Sequence, residues 1–162
     1  RDMRCIMIVA LSIPPFAGLI GIRTIGLEHK WALVGCTWLQ YLIGGPVIFQ
    51  WMCLNANVAG YSKKTISNGL WFMFYAAGNI IGANIFYAKQ APRYHSGIIG
   101  LTISYAGIIV LAIAYRIILQ VRNRNRNKEL GGEYTEEAAQ QAILDGFKDQ
   151  TDKENRGFRY VY

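Results

Sequence analysis

The chain has 162 residues, 52% of them hydrophobic and 17% charged, and a formal net charge of +7. The surplus is confined to residues 1–121, where nine Lys/Arg face only Asp2 and Glu28; residues 122–162 carry eight of each sign. The cations lie between apolar blocks and not on one soluble surface, which excludes a nucleic-acid patch and fits loops that flank membrane helices.

Four runs without a charged residue follow one another. Residues 5–22 make the first, 18 positions long, about 27 Å as a helix against a hydrocarbon core of ~30 Å. Pro14, Pro15, Gly18 and Gly21 lie within it and are expected to bend it. The second run, 31–62, has 32 positions, enough for a tilted helix and a re-entry loop, with Gly44, Gly45 and Pro46 loosening its middle. The third, 65–88, has 24 positions and a GNIIG string from Gly78 to Gly82. The fourth, 96–115, has 20 and sets Gly97, Gly100, Ser104 and Gly107 along one stripe. Small residues at that spacing let backbones approach closely in lipid. A soluble core helix is rarely uncharged on every side. The expected fold is therefore all-α and integral to the membrane, with four transmembrane helices at about 4–22, 31–59, 66–88 and 96–120. Residues 1–121 form this bundle and 122–162 a polar tail. Cys5, Cys36 and Cys53, odd in number and irregular in spacing, read as buried free thiols. The chain begins at Arg1 without a leader pattern and is expected to be cut from a longer one.

Lys and Arg in short loops set the orientation. Arg1, Arg4, Lys63, Lys64, Arg122, Arg124, Arg126 and Lys128 fall on one side; Arg23, Lys30, Lys89 and Arg93 fall on the other. This bias places the 60–65 loop and the C-terminus in the cytoplasm, with loops 23–30 and 89–95 outside. The tail opens with RNRNRNK over 122–128, a run suited to anionic headgroups that either continues the last helix or leaves it. A short amphipathic helix is expected at about 135–145, capped by Thr135 and stopped by Gly146. The final stretch is either disordered or docks Phe158 and Tyr160 against the cytoplasmic face of the helices.

No catalytic constellation is visible. His29 and His95 stand alone in outer loops, and neither a Ser/His/Asp set, a phosphate-cradling glycine loop nor metal-ligand spacing occurs. No enzyme, cofactor or metal site is expected. What lies at membrane depth is neutral and polar. Asn68, Trp71, Tyr75, Gly78, Asn79 and Gly82 recur at three- and four-residue spacing on one face of the third helix. Such a face is costly against hydrocarbon, so it must look into protein or a water-filled cavity. It either bonds neighbouring helices or lines a path for a polar solute, with Tyr75 and Asn79 nearest the midplane. Gln40, Tyr41 and Gln50 on the second helix are weaker candidates.

The segment NANVAGYSKKTISNGLWFMFYAAGNIIG, residues 55–82, resembles the junction of the tenth and eleventh helices in the fungal allantoate-permease family. That family comprises major facilitator transporters of the anion:cation symporter type. The matching residues run in order: Asn57 to Gly60, then Lys63, Lys64 and Thr65 in the cytoplasmic loop, then Gly78 to Gly82. APRY at 91–94 is similar to the family's last outer loop, TDKEN…FRYV to its C-terminal ending, and RDMR to the end of its basic loop before the ninth helix. Ala83 departs from it, since relatives often have proline there. The resemblance implies helices nine to twelve of a twelve-helix major facilitator fold, whose earlier helices would be this chain's partners. It also implies a plasma-membrane permease for small organic anions such as allantoate, other ureides or vitamin-like carboxylates, moved with protons. No carboxylate or histidine lies within the four spans, so a proton-coupling residue would belong to the missing helices. Two other readings stay open: a non-transporting sensor or scaffold in the membrane, and a non-functional fragment.

Overall fold

A computed structural model describes residues 3–91, 93–129, 140, 142, 144, 146, 149–155 and 157–162. They build an all-α assembly without strands among the described residues. Helix α1 spans Arg4–Thr24 and runs uninterrupted through Pro14 and Pro15. The second apolar run forms a broken rod: α2 over Lys30–Trp38, a 3-10 turn over Leu39–Ile43, and α3 over Gly44–Asn57. Helix α4 spans Tyr61–Asn84 and α5 spans His95–Glu129.

The break in the second rod has a local cause. Pro46 has no N–H for the carbonyl of Leu42, and its ring crowds that carbonyl. The disturbed turn therefore lies just ahead of the Gly-Gly-Pro triplet instead of at it. Helix α5 does continue through the RNRNRNK run. Its 35 residues reach about 52 Å, which carries two to four turns past a ~30 Å hydrocarbon core.

Among the described residues, three rods are long and apolar enough to cross a membrane: Arg4–Thr24, Lys30–Asn57 and His95–Glu129. Helix α4, with 24 residues, has the length but is more polar, because Asn68, Asn79 and Asn84 interrupt its apolar sequence. Four helical rods are thus present as expected, and the least hydrophobic of them carries the predicted polar face.

Helix α1 is the centre of the packing, against α5 and all three segments of the broken rod. Cys5 and Ile8 of α1 meet Cys53 of α3 and Ala112 of α5 in one buried cluster. Leu19 meets Ile98 and Tyr105 of α5 in the other. Ser12, fully buried, donates its hydroxyl to Ile8 O at 2.7 Å and so leaves no unpaired donor in the core. Close approach depends on glycine where α1 crosses the broken rod: a Cβ at Gly18 would stand 2.7 Å from Cys36 O. Gln40 ties the same crossing by donating to Pro15 O at 2.9 Å. It is a structural link between the two rods.

Helix α4, like α2 and the 3-10 turn, has no buried residue, and it packs on α3. Gly69, Gly78 and Gly82 have no neighbour within 4 Å where a side chain would point. Of the stripe on α5, Gly97 meets the Phe86 ring and Gly100 meets Ile85, whereas Gly107 faces open space. At this end Arg93 also donates to Arg23 O and Ile25 O, at 3.3 and 3.1 Å, closing the last turn of α1.

Candidate functional site

The predicted face on α4 begins at its junction with α3. Asn68 and Asn55 exchange amide hydrogen bonds at 3.0 and 3.3 Å, and Trp51 Nε1 donates to Asn68 Oδ1 at 2.9 Å. Asn68 is therefore an interhelical bond, the simpler of its two expected roles. Above it the rings form a ladder. Trp51 stacks on Trp71 with centroids 6.2 Å apart, and Trp71 on Tyr75 at 5.5 Å with planes only 6° apart.

Beyond the ladder the face opens. Tyr75 is 50% exposed. Asn79 spends its amide donor on Tyr75 O at 2.9 Å, leaving its carbonyl oxygen without a partner among the described residues. Gln50 lines a mostly apolar cavity of about 490 Å³ together with Ile8, Cys53, Trp71, Ala112 and Tyr115. Tyr41, on the 3-10 turn and 84% exposed, joins neither group. The structure thus brings Asn68, Trp71, Tyr75 and Asn79 into one line, sets Gln50 beside Trp71 on the wall of the apolar cavity, and keeps Tyr41 apart.

The loop motif has a different task. Asn57 is buried, and its side chain pairs with both backbone groups of Val161: Nδ2 donates to Val161 O at 2.8 Å and Oδ1 accepts from Val161 N at 2.7 Å. Gly60 adopts φ +91°, and a Cβ there would lie 3.1 Å from the Thr151 methyl. Lys63 forms an ion pair with Asp152. Asn57, Gly60 and Lys63 are thus three anchors for a C-terminal strap made of residues 149–155 and 157–162. Lys64 contributes only its backbone, donating to Gly60 O and accepting from Asn68, and the Thr65 side chain is exposed.

Helix α5 holds the other edge of the strap. Asn123 pairs with both backbone groups of Tyr160, at 2.7 and 2.9 Å. Arg126 donates to Asp152 O and, at 2.6 Å, to Phe158 O, while its guanidinium covers the Tyr160 ring at 4.8 Å. Arg116 lies over the Tyr162 ring at 5.2 Å. Docking of Tyr160 is as the sequence allowed, and Phe158 packs edge-on against it. Asn123, Arg126 and Asp152 were not anticipated. The signal for the first two is the 123, 126, 127 spacing within RNRNRNK, which places them on one helical face with Asn127, whose Oδ1 accepts from Arg159 Nε at 3.0 Å; Asp152 lies outside that run. The amphipathic helix expected at 135–145 falls largely outside the described residues.

Charge in the strap is balanced at Asp152. Burial pushes its carboxyl upward, but hydrogen bonds from Lys63 and Tyr160, with the Lys63 charge, outweigh burial and hold it below the usual carboxylate range. Glu154 is also lowered, by hydrogen bonds from the backbone and side chain of Thr151. A depressed carboxyl stabilises the docked strap fully above its free value, near 3.8, and that contribution fades as pH falls through the lower docked value. Protection of the strap from protease is expected to be flat from neutral pH to about 5 and to fall below about 4. Loss of protection between pH 7 and 5 would overturn this assignment.

Among the described residues no group of His, Cys, Asp and Glu is arranged to hold a metal ion. No family model matches the chain, and no solved structure matches it significantly. Curated relatives do. An uncharacterised transporter of Schizosaccharomyces pombe is 35% identical over 90% of this chain and 27% of its own length. An MFS-type transporter of Penicillium expansum is 30% identical over 99% of the chain and 32% of itself. The allantoate permease of Saccharomyces cerevisiae is 36% identical over 83% of the chain and 24% of itself. These relatives are named as transporters and not as enzymes. The chain spans about a quarter to a third of their length. Its apolar rods and these relatives together make it a multi-pass membrane protein related to transporters.

Proposed function

We propose that the chain is the C-terminal four-helix part, helices nine to twelve, of a twelve-helix major facilitator transporter of the fungal allantoate-permease type. Its substrate is a small organic anion, moved with protons across the plasma membrane, and its C-terminus lies in the cytoplasm. The observation that carries the reading is the open polar face of α4. Tyr75 is half exposed, and Gly78 and Gly82 have nothing within 4 Å where a side chain would point. A polar face at that depth needs water, solute or another part of the protein beside it, and transporter cavities between two helical halves supply this. Relatives named as transporters, one of them an allantoate permease, support the same reading. The Lys/Arg bias of the loops supports the cytoplasmic placement.

In this reading Tyr75 and Asn79 present a hydroxyl and an amide carbonyl to the solute, Trp71 backs Tyr75 by stacking, and Asn68 fixes the helix. The uncharged runs 5–22, 31–62, 65–88 and 96–115 contain no carboxylate or histidine, so proton coupling belongs to residues outside this chain. Uptake of labelled allantoate and other small carboxylates by cells making the full-length protein tests the proposal. Asn79→Ala and Tyr75→Phe are expected to lower uptake about tenfold, the loss of one to two hydrogen bonds, at unchanged surface abundance. Wild-type rates and affinities in both variants would remove these residues from the pathway. Absence of concentrative uptake for any small carboxylate would remove the transport reading itself.

A further inference from the structure

The docked strap and the last turns of α5 enclose a second, polar groove of about 420 Å³, lined by Arg122, Asn125, Arg126, Glu129, Lys153 and Tyr160. Three cations thus face one acid. Arg126 is satisfied as a donor, but its acceptors are the neutral oxygens of Asp152, Asn155, Phe158 and Tyr160, so its charge is not cancelled. The Asp152 carboxylate is already paired with Lys63. Arg122 lies over the Tyr160 ring at 5.6 Å, and no described residue accepts a hydrogen bond from it. Lys153 is exposed at the rim. The groove therefore carries an excess of about two positive charges, on side chains held in place by the strap.

Its position says which anion. The charge-free part of α5 ends at Tyr115, so Arg122 and Arg126 stand about 10 and 16 Å further along the helix axis. That distance passes the ester-phosphate layer of a bilayer and reaches the outer edge of the headgroups. A phosphate that stands off the membrane, as on a phosphorylated inositol lipid, meets both the height and the charge. We infer that the groove between the C-terminal strap and the end of α5 binds the multiply charged phosphate headgroup of an anionic lipid, through Arg122, Arg126 and Lys153. The proposal requires only that this end of the bundle lie at a membrane surface, and it does not depend on what the protein transports.

The probe is a fluorescent short-chain phosphatidylinositol bisphosphate, added to the full-length protein in phosphatidylcholine nanodiscs. Saturable binding is expected. Arg122→Gln with Lys153→Gln should weaken it about 30-fold, about fivefold for each charge removed, with an unchanged melting temperature. Arg124→Gln with Lys128→Gln removes the same charge from the opposite face of α5 and should change binding less than about twofold. Soluble inositol trisphosphate should displace the lipid only weakly. Displacement at the lipid's own concentration would support the phosphate chemistry and overturn the lipid as its source. No saturable binding, or an equal loss in both double variants, would overturn the groove as a built site.

Discussion

Replacing Lys63 by methionine is expected to release the C-terminal strap, and to do so more completely than replacing its partner Asp152 by asparagine. The two ends of this pair are not equivalent. The Asp152 side chain is 5% exposed and that of Lys63 is 39% exposed. Removing the lysine leaves a buried carboxylate with the Tyr160 hydroxyl as its remaining side-chain donor, at 2.9 Å. Removing the charge of the aspartate leaves an ammonium that water already reaches. Breaking a buried pair costs ~3–5 kcal/mol, and the exposure of Lys63 lowers this to about 2–3 kcal/mol. Amide exchange at residues 160–162 should accelerate about 30- to 150-fold in Lys63→Met and about fivefold in Asp152→Asn. Equal acceleration, or the reverse order, would show that the ion pair does not hold the strap.

The second large effect belongs to Gly18→Ala. A Cβ there would stand 2.7 Å from Cys36 O, 2.9 Å from Gln40 Nε2 and 3.3 Å from Leu39 Cβ. The first of these is backbone and cannot rotate away, so α1 and the broken rod must separate. That separation also breaks the bond from Gln40 to Pro15 O. Overpacking at ~1–3 kcal/mol and one lost hydrogen bond at ~1 kcal/mol give a cost of about 2–4 kcal/mol. The measurement is thermal unfolding of the purified full-length protein, where a clear fall in melting temperature is expected. An unchanged melting temperature would mean that this crossing is looser than the structure has it.

The rods were readable in the sequence because membrane helices announce themselves through missing charge. The Arg4–Thr24 and Tyr61–Asn84 helices begin and end within a few residues of the expected limits. The break between Leu39 and Ile43 was displaced from Gly44–Pro46 because proline disturbs the turn that precedes it. The polar face of α4 followed from 3.6-residue periodicity, but periodicity does not say what faces it. Asn68 turned out to bond Asn55, whereas Tyr75 and Asn79 remained open. The strap was the least legible feature. Asn57 meets Val161 across 104 positions, and neither residue's neighbourhood carries a local pattern of that pairing. Only the resemblance linked the two strings, and it gave no contact between them.

Helix α4 is held near both ends, and residues 73–81 between them are exposed. Asn68, bonded to Asn55 and Trp51, and the Trp71 and Phe72 rings against Trp51 make one support. Just past its last turn, Ile85 and Phe86 seat against Gly100 and Gly97 of α5. From Phe72 to Ile85 the helix runs 13 residues, about 20 Å. A beam pinned at two supports bows most at mid-span, which here falls between Gly78 and Asn79, so Asn79 sits where a given bending force moves the backbone furthest.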